Sequence, residues 1–73
     1  MALNEIYSEI AGTIWKIKAK VGDQVKADDA IMIIECMKME IPVEAPVAGT
    51  VKEMLVEEEQ SVDEGQPLAI IET

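Results

Sequence analysis

Residues 11–35, AGTIWKIKAKVGDQVKADDAIMIIE, lie over residues 48–72, AGTVKEMLVEEEQSVDEGQPLAIIE, without a gap. The offset is 37 throughout (48 minus 11). Seven of the 25 aligned pairs are identical: Ala11/Ala48, Gly12/Gly49, Thr13/Thr50, Val25/Val62, Ile33/Ile70, Ile34/Ile71 and Glu35/Glu72. Others are alike in kind, such as Ile14/Val51, Ile17/Met54 and Ile31/Leu68. Shared composition yields scattered Val and Ile matches; it does not yield AGT and IIE in phase at both ends. Self-similarity of this sort is a fold signal in its own right. Two copies are too few for a solenoid, which needs about three or more. Each copy must instead cover the other's apolar face about a pseudo-two-fold axis. The 73 residues therefore read as a single domain, 1–73, built from the repeat 11–35 and 48–72.

Within a copy the pattern is strand, turn, strand. Ten Ile and seven Val stand against three Leu, and β-branched side chains suit a pleated surface. WKIKAKV alternates, which predicts a strand with Trp15, Ile17, Ala19 and Val21 on one face and Lys16, Lys18 and Lys20 on the other. VGDQV and EEEQSV read as turns leading into short strands, and ADDA and DEGQP as further turns. IMIIE and LAIIE read as short strands buried on both sides. No stretch has helical spacing with a cap. The expected fold is all-β, a flattened eight-stranded β-barrel or sandwich, whose closure would limit exposed strand edges.

Two breaks in the repeat carry expectations. Lys52 stands where the first copy has Trp15, so the inner faces of the copies should differ. Asp28 pairs with Gly65, and Gly22 with Glu59. Glu tolerates the left-handed region poorly, so turn 57–60 should differ in shape from turn 20–23.

Composition removes several function classes. With Cys36 as the only cysteine there is no internal disulfide, and with no histidine there is no Cys/His zinc site. The net charge of −9 argues against nucleic acid and against an anionic membrane surface. No transmembrane run or signal peptide is visible, which points to the cytoplasm or an organelle matrix. No histidine is available as a base, and no Ser or Cys has a visible base partner, so the chain does not read as an enzyme.

The midpoint, ECMKMEIP at residues 35–42, breaks several local rules together. If 33–36 pairs with 39–42, Met37 and Lys38 form a two-residue hairpin loop. Such loops favour positive φ and hence Asn-Gly or Gly-X. Met and Lys there cost on the order of 1 kcal/mol each. Glu35 would face Glu40, a like-charge pair. Pro42 donates nothing to a ladder, which suggests an edge. Rules broken together at one place mark a functional site. Lys38 would project from a rigid tip, available for acylation by an enzyme able to desolvate its amine.

At these residues ECMKMEIPVEAPVAGTV resembles the attachment motif of the biotinyl (biotin carboxyl carrier) domain family, usually Glu-Ala-Met-Lys-Met. The upstream AGTIWKIKAKVGDQV and the final GQPLAIIE are similar as well, so the resemblance runs from about Ser8 to Glu72. It implies biotin amide-linked to Lys38 by a biotin protein ligase. It also implies a carboxylate shuttle between biotin carboxylase and carboxyltransferase sites, with the domain itself non-catalytic. Met37 and Met39 would serve recognition, helped by soft, adaptable side chains; the lesser alternative is that they are hairpin-flanking core residues, less so for Met37, which sits in the turn. Glu35 and Cys36 complete the motif, Cys36 standing where Ala or Ser is usual. The ungapped repeat leaves no room for the inserted "thumb" of some acetyl-CoA carboxylase carriers.

Two other readings stand beside this one. A lipoyl carrier shares the fold, but its lysine usually sits in Asp-Lys-Ala, whereas here two methionines flank it. An unmodified β interaction module is the other. The parent chemistry is open among acetyl-CoA, propionyl-CoA, pyruvate, urea and decarboxylation.

Overall fold

The computed structural model describes residues 2–73. Eight strands follow in chain order: β1 (Leu3–Tyr7), β2 (Gly12–Ile17), β3 (Gln24–Val25), β4 (Ala30–Cys36), β5 (Met39–Glu44), β6 (Gly49–Met54), β7 (Ser61–Val62) and β8 (Pro67–Glu72). They form two four-stranded antiparallel sheets, β1-β8-β6-β3 and β5-β4-β2-β7. The choice between barrel and sandwich resolves as a sandwich of two open sheets. Edges are therefore kept rather than closed, and they are blunted. β3 and β7 are two residues long, and Pro42 interrupts the donors of β5. No helix among the described residues is long and apolar enough to cross a membrane.

Adding 37 to the strands of one sheet produces the other: β1 becomes β5, β2 becomes β6, β3 becomes β7, and β4 and β8 exchange. Each half thus gives two strands to each sheet, and neither half closes alone. Ile14, Ile31 and Ile34 from the first half meet Val51, Leu68 and Ile71 from the second in a fully buried centre. Burying each such side chain stabilises the fold by roughly 1.5–3 kcal/mol.

The bulges explain where the sequence pattern misled. In β2 the partner of Ile14 is Ile34 and that of Lys16 is Ile33, so Trp15 is the extra residue. The same slip in β6 leaves Lys52 extra between Val51 and Glu53. An extra residue reverses the alternation beyond it. Trp15 is accordingly 43% exposed, with Lys16 Nζ 5.8 Å from its ring centroid, and is not on an inner face. Val21 is exposed too, and the strand ends at Ile17. The mismatch of Trp15 with Lys52 is no defect of the interior: both lie on the outside at equivalent bulges. A second pair of bulges, at Ile31 and Leu68, turns adjacent residues into the core and gives β4 and β8 their almost uninterrupted burial.

Turn 57–60 also departs from expectation, since it copies turn 20–23. Glu59 has φ 72° and Gly22 φ 96°. The Glu59 N–H donates to Ile14 O at 2.6 Å and the Gly22 N–H to Val51 O at 2.8 Å. The Glu57 N–H donates to Gln60 Oε1 at 3.0 Å, as the Lys20 N–H does to Asp23 Oδ2 at 2.9 Å. A side-chain acceptor at the fourth position and anchorage to the opposite half hold Glu59 in a region it disfavours.

Gly12 and Gly49 are required for close approach. A Cβ on Gly12 would lie 2.6 Å from the Glu35 carbonyl oxygen, and one on Gly49 2.5 Å from that of Glu72. Gly12→Ala is therefore expected to destabilise the domain by about 1–3 kcal/mol, the usual cost of overpacking. Urea denaturation at constant m-value measures it, and an unchanged midpoint would contradict the close contact.

Candidate functional site

β4 and β5 form a hairpin in the expected register, with Ile33 opposite Pro42, Glu35 opposite Glu40 and Cys36 opposite Met39. Met37 and Lys38 are the two loop residues, at φ 51° and φ 65°. Positive φ at both positions is the type I′ arrangement, whose twist matches that of the strands it joins. The loop is held from below, because β4 is flanked on its other side by β2. Thr13 of β2 pairs with Glu35, and Gly12 brings its backbone against the Glu35 carbonyl. The tip therefore projects from a paired, three-strand base.

The side chains at the tip face water. Met37 is 89% exposed and Met39 63%, which removes the reading of either as core. Lys38, Glu35 and Glu40 are exposed and Cys36 is half-buried. Among the described residues the one salt bridge is Lys52 Nζ to Glu72 Oε2, at 3.6 Å. Lys38 takes part in no salt bridge among the described residues. The symmetry relates Glu72 to Glu35 and Lys52 to Trp15. Glu35 thus lacks the cation its twin has, and with Glu40 it leaves two uncompensated carboxylates at the base of the loop. At the positions equivalent to Met39 and Cys36, Ala2 and Thr73 pair through reciprocal backbone bonds of 3.1 and 2.9 Å.

An exposed primary amine on a rigid, unencumbered turn is what amide attachment of a carboxylic-acid cofactor requires. Lys16 lies over the Trp15 ring and Lys52 is engaged with Glu72, while Lys18, Lys20 and Lys26 are exposed too but none of them sits in the two-residue loop of a hairpin. No group of three or more metal-ligating side chains occurs among the described residues.

One feature escaped the sequence reading. A cleft opens between β1 and β5, lined by Ile6, Ile10, Ile34, Ile41 and Val43 among others. Its only sequence signal was apolar residues left over on two strands that each end a sheet, and the pairing order of the sheets is needed to see that those edges face each other.

Comparison with known proteins now adds to this geometry. The profile of the family described as "Biotin-requiring enzyme" matches residues 3–71. The biotin/lipoyl attachment protein of Bacillus subtilis is 43% identical over 60 residues, covering 82% of each chain. The biotin carboxyl carrier protein of Streptococcus mutans is 40% identical over 70 residues, covering 96% of this chain and 54% of its own. Among solved structures, Kluyveromyces lactis urea carboxylase superposes with a TM-score of 0.91 at 39% identity, over 97% of this chain and 6% of that one. The chain thus spans most of one small relative and a small part of a large enzyme.

The hairpin itself is open to test. The double variant M37N/K38G supplies the residues type I′ prefers and is expected to raise stability by about 1–2 kcal/mol. Thermal or urea melts measure the gain. No gain would show that Met37 and Lys38 are unstrained.

Proposed function

The chain belongs to the biotin-requiring enzyme family, and from that premise we propose that it is a biotin carboxyl carrier with biotin amide-linked to Nζ of Lys38. The observation that carries the assignment is the placement of Lys38 at the tip of a type I′ hairpin, fully outside the fold and free of ion pairs among the described residues. Residues 1–73 act as one attachment domain, a carrier rather than a catalyst.

Each part of the chain has a task in this reading. The bound biotin supplies a ureido nitrogen that takes up and gives back carboxylate. Lys38 contributes the nitrogen of the amide and about five bonds of flexible arm. Amide formation from a ligase-bound biotinyl-adenylate breaks the acyl–phosphate bond, releases AMP and protons, and exchanges an N–H of Lys38 for an N–C bond, so the Lys38 side chain loses its charge. The hairpin below is backed by β2, so the lysine and valeryl bonds of the arm give the head its reach. Exposed Met37 and Met39 offer apolar, deformable contacts to several different active sites, which suits a carrier that must be accepted by each in turn. Glu35 and Glu40 give the base of the tip a negative collar, while Cys36 fills a small half-buried space beside it.

The partners of this reading are a biotin protein ligase, a biotin carboxylase and a carboxyltransferase or decarboxylase, in the cytoplasm or an organelle matrix. Carboxylases of pyruvate, urea and acyl-CoA recur among the relatives and structural neighbours, which favours a carboxylase over other uses. A tethered or bound carrier raises the concentration of its head at each site, to the millimolar range for short flexible links. The apolar flanks of Lys38 favour biotin over a lipoyl group.

Co-expression with a biotin ligase followed by streptavidin blotting tests the assignment. Wild type should label, and Lys38→Arg should not, since a guanidinium is not acylated in this way. Circular dichroism should show both folded. Met37→Ala with Met39→Ala should slow labelling by about tenfold, the order expected when interface contacts are truncated. Labelling of Lys38→Arg would overturn the assignment, and a lipoyl adduct in place of biotin would replace it.

A further inference from the structure

The cleft between β1 and β5 has a volume of about 390 Å³. It lies across the pseudo-two-fold axis, since adding 37 turns Glu5 into Pro42, Ile6 into Val43 and Glu9 into Pro46. Both walls are strand edges, because β1 and β5 each end a sheet. The interior is formed by Ile6, Ile10, Ile34, Ile41 and Val43, with Glu5, Glu9 and Glu44 at the rim. The Tyr7 hydroxyl donates to Glu5 Oε2 at 3.0 Å, and this bond, with the charge of Glu5, raises the phenol's pKa. No lysine lines the cleft.

One end of the cleft lies close to Lys38. Ile41 is three residues along β5, on the order of 10 Å at the rise of a strand, and Val43 is roughly 17 Å away. A biotinyl-lysine arm has about eleven single bonds between Cα and the ring system, each advancing roughly 1.25 Å, so it extends about 14 Å. The head of the arm thus reaches Ile41 and the cleft beside it without any movement of the hairpin. A second hollow, of about 400 Å³, is lined by Lys18, Asp23, Gln24 and Asp29 with Ala19, Val25 and Ala30, and offers the sulfur-containing ring of biotin no large aliphatic side chain beyond Val25.

We propose that the cleft between β1 and β5 is an intramolecular resting site for the ring system of the biotin borne on Lys38. The proposal rests on the carrier reading above. The isoleucines and Val43 take the apolar faces of the rings, and the carboxylates at the rim accept from the ureido N–H groups. The tether removes most of the association cost, so a shallow site suffices. A shallow site also releases its occupant readily to an enzyme that binds it better. The rim discriminates by charge: three carboxylates with no lysine among the lining residues tolerate a neutral head and repel an anionic one. The cleft therefore shelters the head when it carries nothing and frees it when it carries an anion.

Methyl NMR of the whole chain, unmodified and biotinylated, tests the proposal, with intact mass confirming one biotinyl group. The expected result is shift changes at the methyls of Ile6, Ile41 and Val43, together with nuclear Overhauser contacts from the biotin rings. Streptavidin capture gives a second readout. Ile41→Asn, checked by its melt, should speed capture about two- to fivefold, because the accessible fraction of the head rises. Shift changes confined to residues 36–40, with equal capture rates, would overturn the resting site while leaving the carrier reading intact. Absence of the biotinyl mass would overturn the carrier reading and the resting site with it.

Discussion

Two glycines set how closely neighbouring strands pack within each half of this protein. At Gly12 the backbone of β2 comes against the carbonyl of Glu35 so closely that a Cβ would sit 2.6 Å from its oxygen, and Gly49 meets Glu72 in the same way. With that contact made, Ile14 and Val51 drop into one core with Ile34 and Ile71. The strands of each half interleave in both sheets, and the end of β4 is clamped beneath the hairpin. A carrier needs a fixed base for a mobile arm, and here the strand beneath the hairpin is seated by the missing side chain of Gly12. In a chain with no disulfide and few residues to bury, such regular packing replaces the staples that small domains commonly use.

Positive φ recurs at the turns, but its cost is distributed unevenly. Gly22 and Gly65 adopt it freely, whereas Asp28 and Glu59 are held in it by anchoring bonds from the opposite half: the Asp28 N–H donates to Ala45 O at 2.8 Å. At those turns the symmetry decides the backbone and the residue type follows only loosely. Met37 and Lys38 differ, because no cross-half bond supports them and two carboxylates oppose each other just below. Nothing in the packing asks for those residues. In the proposed carrier reading a demand from outside the fold explains them: an amine offered to several enzymes, flanked by side chains those enzymes can grip.

The repeat, the strands and the hairpin register were legible in the residues because each rests on local chemistry: alternation, turn residues and a gapless offset. Trp15 was misplaced because a bulge leaves no mark in an alternating stretch. WKIKAKV looks like an uninterrupted strand, and only pairing with β4 shows where the extra residue falls. Turn 57–60 was misjudged because left-handed propensity was weighed for Glu59 alone, and the hydrogen bond it gains from Ile14 lies 45 residues away (59 minus 14). At the site, the place of Met37 and Lys38 in a two-residue hairpin loop was readable from the spacing and from the rules broken there. The cleft was not, because it belongs to the order of strands in two sheets.

The central claim is that this fold singles out one amine of six. Site-resolved mass spectrometry of the full chain, after reaction with a biotin ligase, biotin and ATP, addresses it directly. The account predicts a single biotinyl group, found wholly on Lys38, with the other five lysines unmodified. Biotin spread over Lys16, Lys18, Lys20, Lys26 or Lys52, or a folded chain that takes none, would contradict it.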